Sequence, residues 1–118
     1  MKIQQPGFLL WVENYEQCVA FYSETLELPI RFQKGDYLTN FRFGDGYIIL
    51  EKGTPAPEEV RKRDTPPFII RLNVADVDIA AAGLREKGVE IKRESYDWGE
   101  IGNFRDPDGN LIQLCKFK

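Results

Sequence analysis

The 118-residue sequence predicts an α+β fold built from two copies of one βαβββ unit, and three observations carry that expectation. Asp106-Pro107-Asp108-Gly109 is a turn with a mechanism: Pro107 presets φ, the Asp side chains accept from nearby backbone N–H groups, and Gly109 tolerates φ > 0. The stretch behind it alternates, so Leu111, Gln113 and Cys115 face one way and Ile112 and Leu114 the other, as in a strand. Finally, the chain repeats itself. Sixty-two residues before Gln113 stands Glu51, closing the apolar run Tyr47–Leu50 after a Gly-Asp-Gly turn, and sixty-two before Val74 stands Val12. The runs ending at Val12 and Val74 each lead into a helix-like segment, and a repeat on this scale outranks any local signal. Gln113, polar in mid-strand, faces either solvent or a cavity.

A chain of this length supports a core without disulfides, here divided between half-domains: unit one over 1–52, a linker over 53–67 and unit two over 68–118, together one domain. The 42% apolar and 30% charged content describe an ordinary soluble globule. With a net charge of −3 and no basic face, nucleic acid and anionic membrane are poor partners. Cys18 and Cys115 belong to no paired motif such as C-x-x-C, so buried thiols in a reducing cytosol are expected. The N-terminal apolar run Phe8–Val12 is too short for a signal peptide or a membrane span, and the protein is read as cytoplasmic.

Strand one, Gly7–Val12, is apolar on both faces and is expected to be covered on both. Helix one starts at Asn14, an N-cap residue with Gln17 three positions on, and places Cys18, Val19, Tyr22 and Leu26 at helical spacing until Pro29 stops it. Phe21 and Tyr22 read as helix-face core. A meander of Ile30–Lys34, Tyr37–Phe43 and Tyr47–Lys52 follows, with turns at Gly35-Asp36 and Gly44-Asp45-Gly46. Residues 53–67 carry Pro55, Pro57, Pro66 and Pro67 around a charged run, the composition of a linker with a solvated turn. Unit two repeats the plan: strand Phe68–Val74, a helix over Asp76–Lys87 with Val77, Ala81 and Leu84 inward, and Gly88 as its C-cap. Strands at Val89–Arg93 and Gly102–Arg105 come next, separated by the loop Tyr96–Glu100, and the alternating terminal strand closes the chain.

Val12, Phe21-Tyr22, Leu26-Glu27-Leu28 and Asp106-Pro107-Asp108-Gly109-Asn110, in that order on a repeated βαβββ frame, resemble the vicinal oxygen chelate superfamily. Its members include glyoxalase I, the fosfomycin and bleomycin resistance proteins and extradiol dioxygenases. The resemblance implies a cupped mixed sheet with the helices outside, and it puts the loop of Trp98 at the border of the cup opening. Superfamily members usually carry Gly where Glu27 stands. A left-handed residue there would cost about 1 kcal/mol, so a differently built loop is expected.

The resemblance also puts the superfamily's metal-ligand positions on Gly7, Glu51, Ile69 and Gln113. Two of those positions normally hold histidine, and the chain has no histidine. One carboxylate and one neutral amide do not hold a divalent ion against water, so neither a metal nor another cofactor is expected. What remains is the cup. If Glu51 and Gln113 face inward, alternation brings Tyr47, Ile49, Leu111 and Cys115 with them, Leu9 and Trp11 from strand one, and Ile69, Arg71 and Asn73 from strand five. Arg71 and Glu51 are candidates to pair across it, either as a structural ion pair or with Arg71 receiving an anionic or carbonyl oxygen. Trp98 is placed for contact with a ligand or a second subunit, whereas Trp11, in a strand, suits core as well as shelf.

These residues suit a metal-free protein that holds a small aromatic or amphipathic molecule, in the manner of the bleomycin resistance branch. The alternatives are a metal-independent lyase or isomerase with Glu51 as general base, and a scaffold subunit without ligand. A homodimer is expected, because each half-sheet alone would leave Leu9, Trp11 and Ile49 in water.

Overall fold

The computed structural model describes residues 2–53 and 69–118. The chain divides into two compact units, Met1–Arg61 and Lys62–Lys118. Most of the expected linker, together with Phe68, lies outside the described residues.

In the first unit, β1 (Gly7–Val12) is followed by α1 (Tyr15–Ala20), which widens into a π-helical stretch, Phe21–Thr25, and then by β2 (Ile30–Lys34), β3 (Leu38–Phe43) and β4 (Gly46–Lys52). The strand order is β1-β4-β3-β2, with β1 parallel to β4 and the other pairs antiparallel. One sheet face carries the core. Leu10, Val12, Phe41, Ile48 and Leu50 are buried beneath Tyr15, Cys18 and Tyr22 of the helical segment, and the Tyr22 and Phe41 rings pack at 5.9 Å between centroids. Buried Thr39 is satisfied there by the Tyr15 hydroxyl at 2.7 Å, which lets a polar pair sit in an apolar layer.

Three expectations for this unit change. β1 is not covered on both faces: Leu9 and Trp11 are 42% and 44% exposed, since a single helix covers only one side of the sheet. Asn14 takes the N-cap position without a side-chain cap bond; its backbone carbonyl accepts from the Cys18 N–H at 2.9 Å. The helix exit is built with a left-handed residue after all. Glu27 has φ 59°, and the Leu28 N–H reaches back to the Tyr22 carbonyl at 3.0 Å, so the closure is kept and the strain is taken.

The second unit runs β5 (Ile70–Asn73), α2 (Val77–Glu86), β6 (Lys92–Tyr96), β7 (Gly99–Arg105) and β8 (Leu111–Phe117), in strand order β5-β8-β7-β6 with β5 parallel to β8. Asp76 caps α2, accepting from the Ile79 N–H at 2.9 Å, and Gly88 leaves it at φ 88°. Val77, Ala81 and Leu84 face inward and are buried. The Asp106 turn works as its sequence implies: one carboxylate oxygen accepts from the N–H groups of Asp108 and Asn110, and the other from the Asn110 side chain.

The hairpin before it is where the sequence misleads. β6 begins at Lys92 instead of Val89, and the supposed loop Tyr96–Glu100 shrinks to the two-residue turn Asp97-Trp98, because Tyr96 already pairs with Gly99. Gly99 permits this. A Cβ there would meet the Lys116 carbonyl oxygen at 2.5 Å, so only glycine lets β7 start so close to β8. The two units are thus two four-stranded mixed sheets, each with a helix on one face, as in the tandem βαβββ plan.

Candidate functional site

Strand alternation and the observed registers sort the strand residues of the expected site onto the sheet face away from their unit's helix. In the first unit, parallel pairing sets Gly7 opposite Tyr47, Leu9 opposite Ile49 and Trp11 opposite Glu51, so these six share one face. β3 adds Leu38, Asn40 and Arg42, opposite Glu51, Ile49 and Tyr47 respectively. The surface mixes apolar side chains with Asn40, Arg42 and Glu51 and is partly exposed, with Glu51 half-buried. Asn40 is 5% exposed, and its Oδ1 has no hydrogen-bond partner among the described residues.

In the second unit the register brings Arg71 opposite Gln113 and Asn73 opposite Cys115, while Asn103 flanks Gln113 from β7. A linked set of polar groups results. The Gln113 amide donates from Nε2 to Asn103 Oδ1 at 3.0 Å, and its Oε1 accepts from Arg71 Nε at 2.8 Å. The Arg71 guanidinium carbon lies 5.9 Å from the Trp98 ring centre and 5.6 Å from that of Phe117, within cation–π range of both. Trp98 in turn stacks on Tyr96, 5.4 Å and 4° apart. Tyr96, Trp98 and Phe117 remain 40%, 45% and 56% exposed, an aromatic shelf beside a cation. The Tyr96 hydroxyl donates to the Glu94 carboxylate, which chiefly pushes its pKa above the usual phenol value.

Of the residues expected to share one cup, Leu9, Trp11, Tyr47, Ile49 and Glu51 lie on one sheet face of the first unit, and Arg71, Asn73, Gln113 and Cys115 on one sheet face of the second; sequence reasoning did not distinguish the two. Ile69 stands just before β5, 43% exposed. It missed Asn103, Tyr96 and Phe117. Phe117 continues the alternation of Leu111, Gln113 and Cys115, and Asn103 follows from counting both strands back from the Asp106 turn, so both were within reach. Tyr96 depended on the unrecognised turn. The sixty-two-residue spacing also fails within the parallel pairs. Gln113 corresponds to Glu51 at 62, but the residue opposite Gln113 is Arg71 and the one opposite Glu51 is Trp11, which differ by 60. Arg71 thus occupies the place of Trp11, not of Leu9.

The superfamily's metal positions do not fit a divalent ion. A Cβ on Gly7 would run into the Tyr47 ring, so that ring fills the space of the missing ligand. Ile69 has no donor atom, and the Gln113 oxygen is turned to a cation. Among the described residues no group of three or more His, Cys, Asp or Glu side chains could hold a metal.

Arg93, on the helix side of the second unit, is used differently. It donates to Asp78 at 2.8 Å, to Glu100 at 3.2 Å and to the Ile101 carbonyl, and the Asp78 bond leads in raising its pKa. Ser95, donating at 2.6 Å, and then Arg93 hold the Glu100 carboxyl below the usual range. A shallow surface hollow of about 160 Å³ is lined by Arg93, Glu94, Ser95 and Glu100 of β6 and β7, and the Arg93–Asp78 bond clamps these strands to α2.

With this geometry in hand, comparison with known proteins is decisive on family. The model of the glyoxalase/bleomycin resistance protein/dioxygenase superfamily matches residues 4–114. The chain belongs to that superfamily. It is 32% identical to the uncharacterized protein YraH of Bacillus subtilis, over 98% of each chain. Among solved structures it is similar to TnmS3, an antibiotic-binding protein of a Streptomyces species, at 27% identity and a TM-score of 0.77, covering 100% of this chain and 97% of that one. A glyoxalase/bleomycin resistance protein of the same Streptomyces is 28% identical with a TM-score of 0.70, covering 93% and 97%. Among the described residues, no helix of this superfamily member is long and apolar enough to cross a membrane.

Proposed function

We propose that this superfamily member binds a small aromatic or amphipathic molecule without a metal, as a cytoplasmic homodimer. The observation that carries the reading is the second unit's exposed aromatic shelf, set against a guanidinium held by a buried amide. Apolar and aromatic surface with a few fixed polar groups is the composition of small-molecule sites. An isolated core would have no packing reason to bury Gln113 at 6% exposure and tie it to Arg71. Likeness to an antibiotic-binding protein at 27% identity supports the same direction. In the second unit Ile69, Asn73 and Cys115 belong to the proposed binding surface, and in the first Leu9, Trp11, Tyr47, Ile49 and Glu51 form a sheet face proposed for binding in its own right. Exposed Leu9 and Trp11 favour the dimer, and buried Cys18 and Cys115 thiols suit a reducing compartment.

The test is a screen of planar aromatic drugs and metabolites by thermal shift and tryptophan fluorescence. Saturable quenching that Trp98→Ala weakens without unfolding the protein supports the reading; no binder in the screen defeats it. Ni, Zn, Mn and Fe(II) should leave the melting temperature unchanged, because only an ion bound to the native state raises it. A monomer by light scattering at micromolar concentration would remove the dimer.

A further inference from the structure

We infer that the ligand taken by the second unit is a planar aryl or conjugated carboxylate, with Arg71 as its receptor and Gln113 and Asn103 as positioning residues. This rests on the small-molecule reading and narrows it to one chemical class. The argument starts from how Arg71 is held. Asn103 Oδ1 accepts one Gln113 amide proton, which turns Gln113 Oε1 towards the guanidinium, and that oxygen takes only the Nε proton. A neutral amide thus fixes the guanidinium plane without cancelling its charge. Trp98 and Phe117 lie near the same group and limit its swing. Among the described residues, the two Nη atoms donate no hydrogen bond, and no carboxylate pairs with Arg71.

Arg93 gives the contrast within the same unit. Its Nε and both Nη atoms are used, with Asp78, Glu100 and a backbone carbonyl as acceptors, so it has nothing left for a ligand. Arg71 presents the unused edge of a rigid fork, whose spacing matches the two oxygens of a carboxylate. The Tyr96 and Trp98 rings, stacked parallel beside it, offer a flat surface for the body of the same molecule. A carboxamide of the same shape puts only one acceptor before the fork and brings no charge.

The experiment titrates the full chain with naphthalene-2-carboxylate and naphthalene-2-carboxamide, by calorimetry and by the Arg side-chain N–H resonances. The carboxylate should bind at least about tenfold more tightly, the range for charge-assisted hydrogen bonds. Arg71→Met should abolish that preference while the carboxamide still binds; Arg71→Lys, which keeps the charge without the fork, covers the case in which Arg71→Met does not fold. Asn103→Leu should shrink the preference several-fold, whereas a merely structural loss would weaken both compounds alike. Equal affinities for the two compounds overturn the inference and leave the small-molecule reading standing. Binding of neither overturns both for aromatic ligands.

Discussion

The two units share strand order and helix packing, yet their sheet faces away from the helix carry different chemistry. Across β1-β4-β3-β2 the row through Ile49 reads Leu9, Ile49, Asn40, Phe32, next to the Trp11, Glu51, Leu38, Lys34 row that corresponds to Gln113; across β5-β8-β7-β6 the row through Gln113 reads Arg71, Gln113, Asn103, Lys92. The first row is apolar but for one amide whose oxygen has no partner among the described residues, and the second is polar and linked from Asn103 to Arg71. The helix sides, by contrast, are alike: aliphatic and aromatic residues buried under helical side chains in both. The covered face of each copy sets the fold, and the other face is the one a repeat can change without losing it.

The largest effect expected from this contrast separates the two faces of the first sheet. Phe41→Ala, at 0% exposure, should cost about 3–5 kcal/mol of stability in denaturant unfolding, with cavity and transfer terms adding. Trp11→Ala, on the opposite face, should cost about 1 kcal/mol at most. A Trp11 loss as large as that of Phe41 would end the contrast within one subunit, and if that loss disappeared on dilution it would put Trp11 in the seam of the proposed dimer.

The amides come next. Gln113→Leu should destabilise by about 1–3 kcal/mol, since it leaves Asn103 and the Arg71 Nε without their partner. Asn40→Leu should be neutral or stabilising by up to about 1 kcal/mol, because its oxygen has no partner to lose among the described residues. Thermal melts of both variants decide it, and an equal loss at the two positions would make the rows equivalent.

The helix exits offer a smaller comparison. Both take a left-handed residue, Glu27 at φ 59° and Gly88 at φ 88°. Glu27→Gly should therefore stabilise by about 0.5–1 kcal/mol, and Gly88→Ala should destabilise by a similar amount. Opposite signs in matched unfolding curves are the outcome to look for.

The weakest effect is one of pH. Ser95 and Arg93 hold the folded Glu100 carboxyl below the ordinary value, so its contribution to stability is present above that value, about 4.3, and is lost as pH falls through the lower folded one. The stability difference between the parent and Glu100→Gln should shrink in acid. A difference that stays constant with pH would remove Glu100 from the clamp.

Much of this molecule was legible because its signals are local. Alternation in Leu111–Cys115, helical spacing at Val77, Ala81 and Leu84, and the Asp106–Gly109 turn each depend on residues within a few positions, and the repeat multiplied them into a fold. That Gly7 and Ile69 carry no metal-donor side chain was legible as well, since residue type alone decides it. Register was not. Whether Arg71 faces Gln113 or slips by two residues depends on how a parallel strand returns after its helix, and no local residue marks that choice. The Tyr96–Gly99 turn likewise depended on the close approach of Gly99 to Lys116, a contact between strands. The sequence by itself thus determined the elements and the chemistry available to them, through short-range periodicity and residue type. Only tertiary pairing decided that Asn103, Gln113 and Arg71 would meet beside Trp98, because hydrogen-bond partners distant in the chain are set by strand register.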